Sequence, residues 1–324
     1  MTTVLVTGVG AIIGYGILRS LRCTGDSIQL VGADVHHDAV GQAWTDRFFV
    51  APPTASVGYA DWLQKTIIEN SVDLIIPGIE QDLHYLSDNR HLLSGLNTRV
   101  VLNDQRLINI SRDKWLMDRE LLSIASSTRI PSYTEGGFST LSTKLGLPFI
   151  IKPKCSYASK GLLRIKNEDD FELVAKKLGS HLIAQPIVGS DDEEYTVAIF
   201  GDGMGEVSAS IILQRRLAAD GSTAKACVRK CSDLSSVVED LCRHFKPIGP
   251  TNLQFRKTVE GWKLLEINPR ISSSTSLRCA FGYNEAKMCI DFYFHEREIT
   301  QPVIRQGFAA RYIEDMVVYD RDHF

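Results

Sequence analysis

The first hundred residues alternate strand and helix patterns without a break, and no other feature constrains the fold as strongly. Thr3 to Thr7 is a continuous strand run; Gly8, Gly10, Gly14 and Gly16 follow, and Ile17-Leu18-Arg19-Ser20-Leu21 opens a helical pattern. A second strand pattern, Ile28 to Ala33, ends at Asp34. Asp61 to Asn70 then reads as helix, Val72 to Pro77 as strand, Asp82 to Leu93 as helix and Arg99 to Leu102 as strand. Alternation of this kind builds a parallel sheet with both faces covered. The glycine loop and the acid closing the second strand are the opening of a Rossmann-like unit. Gly8-x-Gly10-x-x-x-Gly14 is one residue longer than the usual dinucleotide fingerprint. It can be read as an NAD site with Asp34, or as glycines that only permit a tight strand-to-helix turn. Glu80, with Asp82 nearby, lies just past the carboxyl end of a strand, where open α/β sheets bind ligands.

Chemistry is densest near the other end. Asn252-Leu253-Gln254-Phe255 and Glu266-Ile267-Asn268-Pro269-Arg270 are two short strand patterns about a dozen residues apart. Residues i and i+2 of a strand face the same way, so Glu266 and Asn268 share a face, as do Asn252 and Gln254. Carboxylate and amide oxygens on a hairpin suit a hard cation such as Mg²⁺, which is held by one or two carboxylates plus substrate phosphates. Arg270 follows with a planar fork suited to phosphate or carboxylate.

Between these regions, Leu147 to Lys154 is an apolar strand pattern ending in Lys152-Pro153-Lys154, and Cys155-Ser156-Tyr157-Ala158-Ser159-Lys160-Gly161 follows before a strand resumes. Small residues between two strands suit a flap whose backbone N–H groups, with Lys152, grip an anion. It is not a P-loop, since the G-x-x-x-x-G-K-[ST] string is absent. Asp169 to Leu178 reads as helix, and Glu194 opens the β-rich run through Phe200. Leu234 to Phe245 and Asn284 to His295 read as helices. Lys225 and Arg215 read as solvated charges, Arg229 as either solvated or acceptor-facing, and Arg256, projecting opposite to Phe255, as able to share the Gln254 face but without an assigned role.

A length of 324 residues fits two or three domains. A net charge of −3 requires no nucleic-acid or anionic-membrane partner. No apolar run is long enough to span a bilayer, and the chain enters a strand directly rather than through a basic signal-peptide region. Seven scattered cysteines argue against a disulfide scaffold and for a reducing, cytoplasmic setting. Cys227 and Cys231 lack the second pair that a zinc site would need.

In this order, the pieces resemble an ATP-grasp enzyme over nearly the whole chain. The two hairpin segments, extended to Ile271-Ser272, are similar to a single synthetase unit of the carbamoyl-phosphate synthetase large chain and its standalone relatives. The resemblance implies an α/β ATP-grasp fold with an N-terminal Rossmann-like parallel-sheet domain. Residues 1–110 would be that pre-domain, 111–186 a small lobe with the lysine strand and flap, and 187–324 a large lobe with the metal site. Lys114 and Lys152 would contact the nucleotide, with Ser156, Ser159 and Gly161 in the flap. Gln185, Pro186, Ile187 and Val188 would be the adenine-binding hinge, and Glu194 would hold the ribose hydroxyls. Gln254, Glu266 and Asn268 would bind Mg²⁺, with Mn²⁺ as an alternative. Arg270, with Asn268, would stabilise the transferred phosphoryl group, and the pre-domain glycines would not bind NAD. The implied activity is ATP-dependent activation of a carboxylate as an acyl phosphate for attack by an amine. Its substrates would be small molecules and its product an amide or peptide-type bond; the oligomeric state stays open, a homodimer being common in that family. The synthetase has an arginine where this chain has Ser273, and the chain shows no second repeat or fused glutaminase; both weigh against carbamoyl phosphate synthesis. Carbamoyl-phosphate-synthetase-like phosphorylation chemistry and a non-catalytic nucleotide-binding protein are the alternatives.

Overall fold

The computed structural model describes residues 1–155 and 161–317. The alternating region forms a five-stranded parallel sheet from β1 (Thr2–Thr7), β2 (Ile28–Asp34), β3 (Arg47–Val50), β4 (Leu74–Ile76) and β5 (Arg99–Val100), in the order β3-β2-β1-β4-β5. Helices α1 (Ile12–Arg22), α2 (Tyr59–Asn70) and α3 (Glu80–Asp88) make the crossovers. Alternation sends the β1 side chains both ways: Val4 and Val6 enter one core, Leu5 the other.

Helices α4 (Gln105–Arg112) and α5 (Lys114–Ser123) follow, each started by an aspartate cap. Asp104 accepts from the amides of Arg106 and Leu107, and Asp113 from those of Trp115 and Leu116. After α6 (Phe138–Leu145) comes a three-stranded antiparallel sheet of β6 (Phe149–Pro153), β7 (Leu163–Ile165) and β8 (Leu182–Pro186), in the order β7-β6-β8. The expected helix from Asp169 is α7 (Glu168–Glu172), followed by a separate 3₁₀ turn at Ala175–Lys177.

The third sheet has six strands. They are β9 (Glu194–Asp202), β10 (Val207–Leu217), β11 (Thr223–Arg229), β12 (Ile248–Thr258), β13 (Gly261–Asn268) and β14 (Phe308–Ala310), in the order β13-β12-β9-β10-β11-β14. One face packs on α8 (Ser232–Phe245) through Val197, Ile199, Leu253 and Phe255. The other packs through Ala198, Phe200, Ile211 and Leu213 into the core that holds Val4, Val6 and Leu18 of the first sheet and its helix α1. One apolar core thus runs from the first sheet and α1 into the six-stranded sheet. Short helices α9 (Thr275–Ala280) and α10 (Glu285–Cys289) lie at this junction. The long final helix expected from Asn284 is instead α10 followed by a π turn at Ile290–Phe294.

Candidate nucleotide and metal site

The polar residues of the candidate site stand on the face of the six-stranded sheet that packs elsewhere against the first domain. On β9, Glu194 and Thr196 alternate onto the face of Ala198 and Phe200. On β12, Asn252 and Gln254 point the same way, opposite Leu253 and Phe255. On β13 simple alternation from core residue Leu264 would turn Glu266 into the α8 core. A β-bulge prevents this: Gln254 pairs with Glu266 but Phe255 with Leu264, so Leu265 is the extra residue. Bulges re-aim side chains, and this one sets Glu266 and then Asn268 beside Gln254 and Asn252.

The three expected cation ligands therefore meet. Asn268 Nδ2 donates to Glu266 Oε1 at 3.0 Å, and Asn268 Oδ1 accepts from Arg270 at 3.2 Å. Gln254 Oε1 accepts from Arg215 at 2.6 Å. One carboxylate and two amide oxygens are hard donors on one face, a set that fits Mg²⁺ completed by phosphate oxygens and water.

Lys152 projects from the face of β6 opposite core residues Phe149 and Ile151. Lys114 is the first residue of α5, and its backbone N–H donates to the Lys154 carbonyl at 2.9 Å, docking the helix start on the lysine strand. Burial lowers the pKa of both amines. For Lys152 burial is followed by repulsion from Lys114, and the result is a value of about 8. Glu266 pulls both back toward the charged form, so the two lysines and this carboxylate sit within one another's field. Lys114 and Glu266 also line a cleft with Ser111, Met117, Gln185 and Leu264.

β8 borders the same cleft through Gln185. The Gln185 side chain is buried and turned back, donating to Ser132 Oγ at 2.7 Å, while Pro186, Ile187 and Val188 are half-buried. Glu194 is buried with both oxygens engaged, Oε1 by Arg215 at 2.9 Å and Oε2 by Arg256 at 3.0 Å. Gly161 has φ +77° and packs against Pro153 at the end of β6. Ser156 and Ser159 lie outside the described residues.

Arg270 reaches back to the first domain, where its guanidinium pairs with the Glu80 carboxylate. Glu80 starts α3 beyond the carboxyl end of β4, next to β1, which is the ligand crevice of an open parallel sheet. Burial draws the Glu80 carboxyl upward, but Arg270, helped by His84 and Lys114, outweighs it and leaves the pKa below the ordinary value. Asp82 is different. It is buried, accepts from Thr54 at 2.5 Å and from Tyr59 at 3.2 Å, and burial raises its pKa.

The glycine loop makes contacts of backbone on backbone. A Cβ on Gly14 would lie 2.2 Å from the Gly8 carbonyl oxygen, and one on Gly78 would lie 2.2 Å from that of Thr7. Asp34 accepts from the Gly10 amide at 2.7 Å and the His36 amide at 3.0 Å. The carboxylate a dinucleotide ribose would need is occupied in closing the loop, which supports the turn reading of these glycines.

Some assignments made from sequence change. Arg215, expected as a solvated charge, instead clamps Glu194 and holds Gln254, while Arg256, expected able to share the Gln254 face but given no role, grips the other Glu194 oxygen. The missed signal was alternation on β10, where Arg215 follows Ile211 and Leu213 on the buried face. Lys225 and Arg229 are exposed, as solvated charges are. Arg278, not singled out in the sequence, is fully buried beside Asn252 and Thr196.

The class defined by this geometry is an α/β protein in which two sheet-bearing lobes face each other across a cleft, backed by a parallel-sheet domain. Residues 182–316 match the model of a family described as ATP-grasp in the biosynthetic pathway with Ter operon. No curated protein gives a significant sequence match. Among solved structures, N5-carboxyaminoimidazole synthetase from Staphylococcus aureus, complexed with ADP, superposes with a TM-score of 0.72 at 17% identity, covering 94% of this chain and 80% of that one. The biotin carboxylase domain of Hydrogenobacter thermophilus 2-oxoglutarate carboxylase gives 0.68 at 14% identity, with 95% and 73% covered. L-Amino acid ligase from Bacillus licheniformis gives 0.67 at 13% identity, with 90% and 74% covered. The chain thus shares the fold of these solved structures, and its residues 182–316 match an ATP-grasp family model.

Proposed function

We propose that this protein is an ATP- and Mg²⁺-dependent ligase that activates a substrate carboxylate as an acyl phosphate and joins it to an amine, releasing ADP and phosphate. The observation that carries this reading is Glu266 and Lys114 lining one cleft, with Lys152 near enough to feel the charge of both. A cation and an anion in the cleft with a second cation in their field are arranged for a polyphosphate and its counter-ion, not for a neutral ligand.

Glu266, Gln254 and Asn268 would hold Mg²⁺, which would neutralise phosphate charge as a Lewis acid. Gln254 and Asn268 would then exchange their present arginine contacts for the ion. Lys152 and Lys114 bind phosphate oxygens from the small-lobe side. The backbone at Pro186 to Val188 receives the base, and Glu194 reaches the ribose by giving up one of its two arginines. Arg270 stands where negative charge develops on the transferred phosphoryl group, and Glu80 orients its guanidinium until substrate arrives. The carboxylate oxygen attacks the γ-phosphorus and ADP leaves. The amine then attacks the acyl carbon, phosphate leaves, and the amine loses a proton. No nucleophilic side chain is required, since phosphoryl transfer rests on positioning and charge neutralisation.

The test is ADP formation with Mg²⁺ and ATP against a panel of amino acids, sugar acids, bicarbonate and small amines. Glu266→Gln is expected to abolish turnover while the circular dichroism spectrum and melting temperature stay near wild type. Undiminished ADP formation in that variant refutes the assignment.

A further inference from the structure

Beneath the metal hairpin lies a buried arginine with one partner on each of three segments of the site. Arg278, on α9, is 0% exposed, as is its ion-pair partner Glu285. Its Nη1 donates to Ser272 Oγ at 2.8 Å and to Glu285 Oε1 at 3.2 Å. Its Nη2 donates to Thr196 Oγ1 at 3.0 Å and to Asn252 Oδ1. Each of the three uncharged partners stands two residues from a residue of the candidate site: Thr196 from Glu194, Asn252 from Gln254, Ser272 from Arg270. On β9 and β12 a spacing of two means the same face, so Arg278 sits on the floor from which Glu194 and Gln254 rise.

We propose that Arg278 is a positioning residue that holds β9, β12 and the loop after Arg270 in mutual register for phosphoryl transfer. The proposal rests on the ligase reading above. A planar guanidinium with five donors can bind three segments at once; a lysine ammonium, a single point charge, cannot reproduce that fork. The cluster is a weak device for stability alone. Buried ion pairs are often no better than apolar packing, and among the described residues no partner meets Arg278 Nε, Asn252 Nδ2 or Glu285 Oε2. What the arrangement secures is relative placement, and a misplacement of about 1 Å costs about 100-fold in rate.

The experiment compares Arg278→Lys, Arg278→Met and the double variant Arg278→Met/Glu285→Leu with wild type. Three quantities are read: kcat and KM for ATP in ADP formation, binding of a non-hydrolysable ATP analogue with Mg²⁺ by calorimetry, and melting temperature. Arg278→Met is expected to melt lower, and the double variant, relieved of an unpaired buried charge, to recover most of that loss. In all three variants kcat is expected to fall about 100-fold. KM and analogue affinity, set mainly by the lysines and the hinge, are expected to change less than about threefold. A double variant that regains both stability and kcat overturns the proposal, as does Arg278→Lys with wild-type kcat. Analogue affinity lost in parallel with kcat also overturns it, since that marks general damage to the site. A wild-type chain that forms no ADP with any acceptor overturns the ligase reading, and this proposal with it.

Discussion

Arg215→Met is expected to destabilise the large lobe by about 3 kcal/mol, the low end of the cost of breaking a buried ion pair. Arg215 and Glu194 are 6% and 3% exposed, and their hydrogen bond is 2.9 Å. Removing the arginine leaves a carboxylate and the Gln254 amide oxygen without the donor they share. The cost stays at the low end because Arg256 still donates to the other Glu194 oxygen at 3.0 and 3.2 Å. Arg256→Met should cost less, about 1–2 kcal/mol, the scale of one hydrogen bond to a charged group. Its side chain is 19% exposed, and its second partner, Asp191, is 83% exposed. A double-mutant cycle of Arg215→Met with Glu194→Gln should show coupling of about 1–3 kcal/mol. Urea unfolding followed by tryptophan fluorescence gives these values. Trp262 is a local probe, packed edge-on against Tyr195 with ring centroids 4.8 Å apart, next in sequence to Glu194. A change in midpoint at constant slope isolates stability from a change in the unfolded state. An Arg215→Met variant within about 1 kcal/mol of wild type, well under the cost of an uncompensated buried charge, or an Arg256→Met variant that costs more, refutes the placement of Arg215 as the inner clamp.

With its pKa lowered to about 8, Lys152 should lose its proton as pH rises past that value, so affinity for a magnesium–ATP analogue should decline there. Its linkage to folding has the opposite sense: from about 8 up to the unfolded value of 10.5 the unfolded chain holds more protons, so stability rises with pH across that window and is flat in this term below it. Calorimetry and melting curves across the range should show both trends, and Lys152→Met should remove both. The Glu80 carboxyl, held below its ordinary pKa by Arg270 against the pull of burial, contributes stability that is whole above the ordinary carboxylate range and is lost as pH falls through the depressed value. Glu80→Gln should therefore flatten the acid limb of the melting profile, and an unchanged limb would count against the pair. Gly14→Ala puts a methyl group 2.2 Å from the Gly8 carbonyl oxygen and should cost about 1–3 kcal/mol or more as overpacking. Gly58→Ala meets no atom within 4 Å and is the matched control; equal melting temperatures for the two would refute the close-packed glycine turn.

What could be read in advance divides by the range over which the structure is decided. The parallel sheet, the shared face of Glu266 and Asn268 and the strand-end position of Lys152 follow from periodicity within one element. The aspartate caps of α4 and α5 are likewise local. Arg215 was open to the same logic, since it lies two and four residues beyond buried Leu213 and Ile211, but a charged residue is placed in solvent by default. The bulge at Leu265 is a different matter. Its existence depends on how β13 pairs with β12, and a slip of one residue would turn Glu266 from the site into the α8 core. Arg278 is further out of reach. Its partners Thr196 and Asn252 are 82 and 26 residues away in sequence, and nothing in the six-residue helix that holds it marks it as buried. The same division separates the two kinds of function in the site. Donor oxygens and cations are written locally, because strand alternation suffices to present them. Their mutual placement is written non-locally, in a bulge, a buried arginine and the Arg270–Glu80 pair that joins the large lobe to the crevice of the first sheet. A variant that keeps every ligand but alters the buried arginine or the Glu80 end of that pair should therefore retain nucleotide binding and lose turnover, because binding needs the groups to be present and transfer needs them in register.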